Sequence, residues 1–64
     1  MPVVEIKMLS GRSHAQKAEL AEKITDVMVD VAGAARDRVN VIFYDFDRTE
    51  WSVGGTLFSD KQQK

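Results

Sequence analysis

The sequence contains no cysteine, a single proline and a single histidine. The first absence excludes disulfides. A structural zinc takes four N or S donors, and with no CxxC and no paired-His spacing, His14 cannot form such a site alone. An excess of charge of one sign is also missing. Lys and Arg number 9 against 10 Asp and Glu, for a formal net charge of -1, and the two signs are interleaved. No basic stripe is offered to a phosphate backbone, so nucleic acid is not an expected partner. No apolar run approaches the roughly 20 residues of a membrane span, and the N-terminus has neither the basic nor the apolar region of a signal peptide. The chain is therefore expected to be soluble and cytoplasmic, with no membrane partner.

The 64 residues hold no linker, repeat or low-complexity segment, and residues 1–64 are expected to form one domain. A domain of this size buries only about 60% of the surface its unfolded chain exposes. Disulfides, metals or self-association commonly supply the deficit. With the first two excluded, self-association is the expected source of extra stability.

What is present is patterned. VVEIKML, Val3 to Leu9, alternates Val4, Ile6 and Met8 with Val3, Glu5, Lys7 and Leu9, the period of a strand. SGR breaks it. Ser13 and Gln16 have the spacing of a capping box, and Leu20, Ile24, Val27, Met28 and Val31 follow at helical spacing as an expected core stripe. Lys17, Glu22, Lys23, Asp26 and Asp30 are expected on a solvated face, and Gly33 is the expected C-terminal stop. VNVIFYDF, Val39 to Phe46, predicts a second strand with apolar groups on both faces. One face is expected to pack on the chain's own helix and the other on something else, such as a second subunit. DRTE predicts a polar loop, Gly54-Gly55 within WSVGGTLFSD a tight hairpin turn, and SDKQQK a frayed end. The order predicts an α+β fold: a βαβ unit with parallel strands and a right-handed crossover plus a C-terminal β-hairpin, assembled as an oligomer.

Most catalytic apparatus is missing: there is no thiol nucleophile, carboxylate cluster, phosphate loop or G-x-S-x-G elbow. Pro2 is tolerated simply as the first residue of a strand, where its missing N–H is harmless. It has a second reading. If Met1 is removed, Pro2 becomes a terminal secondary amine, and an α-amino group titrates near about 7.7–8.0 in model compounds. Modest desolvation and a nearby arginine would favour its neutral form, bringing a base close to working pH.

PVVEIKMLSGRSxxQK at the start and WSVGG near the end resemble the 4-oxalocrotonate tautomerase family over nearly the whole chain. The resemblance implies a cofactor-free keto–enol tautomerase that takes a small carboxylate substrate, a 2-oxo or 2-hydroxydienoic acid, and assembles as a homohexamer. By the same resemblance Pro2 is the catalytic general base, Arg12 binds a substrate carboxylate, and Trp51 is the aromatic of an apolar site. Asn40 occupies the substrate-binding position where the best-known members have a second arginine. That departure implies a lower rate with a dicarboxylate such as 2-hydroxymuconate. Arg36, Arg38 and Arg48 are candidates to replace the missing cation. Within the same family, hydrolytic dehalogenases carry a carboxylate at or near the position of Val53, which lacks one.

Seven or so extended residues at about 3.3 Å each would hold Pro2 and Arg12 roughly 25 Å apart, so one chain cannot bring both to one small substrate. If both act, different subunits supply them. Each residue also has a plainer reading: Arg12 as a solvated neighbour of a helix start, Trp51 as a core or interface aromatic, Asn40 as an outward strand position, His14 as an exposed first-turn residue. The corresponding rival function is a non-catalytic oligomeric module that binds a small acid or a partner protein.

Overall fold

A computed structural model describes residues 1–61. Strand β1 spans Val3–Leu9, helix α1 His14–Ala32 and strand β2 Asn40–Phe46. A short hairpin of β3, Ser52–Val53, and β4, Thr56–Leu57, follows. β1 and β2 pair in parallel from Val3 beside Asn40 to Leu9 beside Phe46. The helix supplies the crossover that parallel neighbours require.

Local chemistry explains the boundaries. The Ser13 hydroxyl accepts the Gln16 N–H at 3.1 Å while the Gln16 side chain accepts the Ser13 N–H at 2.9 Å, the expected capping box. At the other end Gly33 takes φ 71°, and the Ala34 N–H reaches back to the Met28 carbonyl at 3.2 Å. This left-handed cap closes orphan carbonyls at little cost because glycine has no Cβ. Gly54 and Gly55 both hold positive φ, 62° and 86°, in the hairpin turn, which suits the twist of its two strands.

Several expectations are corrected. Val39 lies outside β2: its N–H bonds to the Arg36 carbonyl at 3.3 Å, closing a 3-10 turn over Arg36–Arg38, and pairing begins at Asn40. The DRTE loop contains a second 3-10 turn, Arg48–Glu50, capped by Asp47. The Thr49 hydroxyl and backbone N–H both donate to the Asp47 carboxylate, which lowers its pKa from the ordinary value. The expected frayed end holds a third such turn at Phe58–Asp60, and its residues 62–64 lie outside the described residues.

The helix stripe is also shifted. Ala21, Ile24, Thr25, Met28 and Val29 are half-buried, while Leu20, Val27 and Val31 are exposed by 38%, 57% and 83%. The apolar arc of α1 is wider than two strands about 4.8 Å apart can cover. Lys17 is not solvated as expected; it is partly buried and forms an ion pair with Asp45 of β2. Asp26 pairs with Arg36 at 2.7 Å.

The two faces of the sheet differ. Val4, Ile6, Met8, Val41, Phe43 and Asp45 form one side, and Lys17 of the helix reaches Asp45 there. The opposite side carries Val3, Ile42 and Tyr44, exposed by 50%, 41% and 38%. On it the Tyr44 hydroxyl donates to Glu5 at 3.4 Å, and the Lys7 ammonium stands 5.9 Å from the Tyr44 ring centre. No described residue is fully buried. The chain is elongated, 43 × 24 × 17 Å, with a radius of gyration of 15.1 Å, where a compact domain of this length has about 11 Å. Its accessible surface, 4979 Å², exceeds by roughly a fifth that of a compact monomer of this mass.

Candidate active site

At one end of the sheet stand Pro2 and Asn40. The Pro2 carbonyl accepts the Asn40 N–H at 3.0 Å, which fixes the start of β1 against the start of β2. Pro2 is half-buried, and Met1 beyond it is 85% exposed. With Met1 attached, the proline nitrogen is an amide; its removal would leave the amine at the corner of the sheet. The Asn40 side-chain N–H donates to the Arg38 carbonyl at 3.1 Å.

The opposite end carries the other candidates. The Ser10 N–H donates to the Phe46 carbonyl at 2.8 Å, after which Gly11, at φ 129°, turns the chain and presents Arg12 ahead of the helix cap. Arg12 is exposed. Trp51 meets Phe46 edge-on, with centroids 5.6 Å apart at 80°, and lies 6.3 Å from Phe58. The Trp51 carbonyl also accepts the Phe58 N–H at 2.9 Å. Within one chain, then, Trp51 anchors the hairpin to the end of β2, through a packed aromatic cluster worth more than its buried area alone.

The single chain brings Pro2 together with Asn40, and places Arg12 and Trp51 at the far end of the sheet from them. An open depression of about 290 Å³ beside the helix is lined by Arg12, Gln16, Glu19, Leu20 and Lys23, and includes neither Pro2 nor Trp51. Of the arginines weighed as substitutes for the missing cation, Arg36 is tied to Asp26. Arg48 lies in the turn that follows β2, at the Trp51 end, and Arg38 immediately precedes Val39 and Asn40 at the Pro2 end. His14 is the exposed first residue of α1, and Val53 in the hairpin is 51% exposed. Among the described residues no group of three His, Asp or Glu could hold a metal ion, and no helix is long and apolar enough to cross a membrane.

Sequence reasoning overlooked the Lys17–Asp45 pair, which ties the first turn of α1, and hence the Arg12 segment, to the end of β2. A signal existed. Asp45 continues the Val41, Phe43 alternation on the helix side, where a carboxylate needs a partner.

A βαβ unit with parallel strands and an aromatic-anchored antiparallel hairpin define a chain of the 4-oxalocrotonate tautomerase fold. The sequence profile of the family described as Tautomerase enzyme matches residues 2–61. A probable tautomerase of Bacillus cereus is 39% identical over 61 residues, covering 95% of this chain and 100% of that relative. The 2-hydroxymuconate tautomerase of Bacillus subtilis is 34% identical over 62 residues, covering 97% and 100%. Among solved structures, a 4-oxalocrotonate tautomerase homologue superposes with a TM-score of 0.90 at 36% identity, covering 98% of this chain and 100% of that one. A heterohexamer 4-oxalocrotonate tautomerase from Chloroflexus aurantiacus gives 0.88 at 32% identity, covering 97% and 100%. The protein belongs to the tautomerase enzyme family.

Proposed function

We propose that the protein is a cofactor-independent keto–enol tautomerase acting on a small 2-oxo or 2-hydroxydienoic acid, with the Pro2 amine, freed by removal of Met1, as general base. The observation that carries this reading is the placement of Pro2: its carbonyl is held by the Asn40 N–H at 3.0 Å, so its nitrogen occupies a fixed corner of the sheet. The neutral amine accepts the enol hydroxyl proton as the electron pair moves into the C=O bond, and the resulting ammonium returns that proton to carbon. No net oxidation occurs. Arg12 holds the substrate carboxylate, for which its guanidinium offers two parallel donors. Trp51 borders the apolar part of the site and excludes water, which favours the neutral amine.

Because Pro2 and Arg12 flank opposite ends of β1, the complete site forms between subunits of a homo-oligomer, for which we favour a hexamer. The exposed Val3, Ile42, Val27 and Val31 support assembly. So does the surface excess, of the same order as the ~800 Å² that one partner gives up in a standard interface.

The test is enol-to-keto turnover of 2-hydroxymuconate and phenylenolpyruvate by protein whose intact mass shows Met1 removed. Pro2→Ala is expected to keep the oligomer and lose about 100-fold or more in rate, the scale of general acid–base catalysis. An unchanged rate in that variant would remove Pro2 as the base.

A further inference from the structure

The sheet face turned away from α1 is mostly apolar, with two charges near its middle. Val3, Ile42 and Tyr44 stand on it exposed by 50%, 41% and 38%. Among them β1 presents Glu5 and Lys7, both exposed, which leave the same side of the strand about 7 Å apart. Register sets Glu5 beside Ile42 and Lys7 beside Tyr44. Tyr44 engages both charged heads: its hydroxyl donates to the Glu5 carboxylate at 3.4 Å, and the Lys7 ammonium stands 5.9 Å from its ring centre. Among the described residues neither Glu5 nor Lys7 forms an ion pair, whereas Lys17, Lys23 and Arg36 all do. Covering this face with an apolar surface would bury an anion and a cation without partners, which is costly. A fitting surface is apolar around the pair and carries the opposite charge at each of its two positions. This same face, turned end for end, is such a surface.

We propose that the outer sheet face is a self-complementary docking surface for a second copy of this chain, and that Glu5 and Lys7 fix the orientation of the contact. The proposal rests on the assembly reading above and is independent of the chemistry assigned to Pro2. A two-fold axis running across β1 at Ile6 stacks β1 on the partner's β1 in the reverse direction. Glu5 then faces Lys7 of the partner subunit and Lys7 faces the partner's Glu5, an isologous contact. Both side chains are long enough to meet across the roughly 10 Å between stacked sheets. The other two-fold, along the strand, sets Glu5 against the partner's Glu5 and Lys7 against the partner's Lys7, where like charges oppose it. Apolar contact is non-directional and does not choose between the two. The charged pair does.

The test is assembly, read by sedimentation velocity over a range of protein concentrations. The wild type is expected to be oligomeric. Glu5→Lys and Lys7→Glu should each shift the protein to smaller species, with association through this face weakened about 100-fold or more, because each sets like charges face to face. The two variants mixed should associate with each other, and the double variant, Glu5→Lys with Lys7→Glu, should assemble as the wild type does. Those recoveries separate lost recognition from lost folding. Single variants that assemble like the wild type overturn the proposal, as does a loss that neither the mixture nor the double variant recovers. Assembly that tolerates both reversals but is lost in Val27→Asp moves the contact to the exposed flank of the helix and overturns it too. A wild type that stays monomeric overturns the assembly reading itself.

Discussion

Arg12 illustrates how little a side chain's function owes to its own surroundings in one subunit. It is exposed, on a link turned by Gly11 at φ 129°, beside a depression that contains none of the other candidate groups. Its proposed task is to hold a substrate carboxylate that the amine of another subunit works on. Arg12→Ala is therefore expected to raise KM for acidic enols by roughly tenfold or more, the worth of a hydrogen bond to a charged group, and to leave neutral ketones nearly unaffected. Steady-state kinetics on the two substrate classes check this, and equal effects on both would remove the role. The identities of Pro2, Arg12, Trp51 and Asn40 as candidates were legible in the sequence because each sits in a motif or in a departure from one. The contact between Asn40 and Arg38 was not. It depends on Val39 being extended and on a side-chain rotamer, and spacing specifies neither.

Elements were legible where local chemistry decides them. β1 keeps its expected limits of Val3 and Leu9 because strict alternation leaves no rival pattern, and α1 starts and stops where Ser13, Gln16 and Gly33 close its end groups. Orientation of the helix was legible only in part. Its apolar arc continues through Leu20 and Val27 beyond the width of the sheet, and no periodicity says which part of a wide arc meets the strands. The Lys17–Asp45 pair settles part of that question, joining residues 28 apart in sequence. Lys17→Met is expected to cost about 1 kcal/mol, between the values for exposed and buried pairs, or roughly 4–8 °C in Tm at fixed protein concentration. A double-mutant cycle with Asp45→Asn measures it. Additive losses would show that the two side chains do not stabilise each other. The same variant loosens the turn that carries Arg12, so KM for acids should rise while the rate on neutral ketones holds.

At the scale of the whole molecule the sequence predicted a fold that needs company, and the geometry supplies reasons: no described residue is fully enclosed, and both the outer sheet face and a flank of the helix remain apolar and exposed. The chain length, the two-faced second strand and the absence of other staples carried that expectation. How subunits fit together was not legible, because an exposed apolar residue shows that it needs cover without showing what covers it.

If Pro2 and Arg12 share one site as proposed, their separation along β1 also changes the rules of inheritance for this protein. In the composite site proposed above, a chain with a lesion at one of these residues still lends its other, intact group to a neighbour's site. Two chains with different lesions, Pro2→Ala and Arg12→Ala, each nearly inactive when assembled alone, should regain turnover when unfolded together and reassembled as a mixture, because some sites then draw the amine from one parent and the guanidinium from the other. Rates no higher than those of the separate variants would mean that each chain completes its own site.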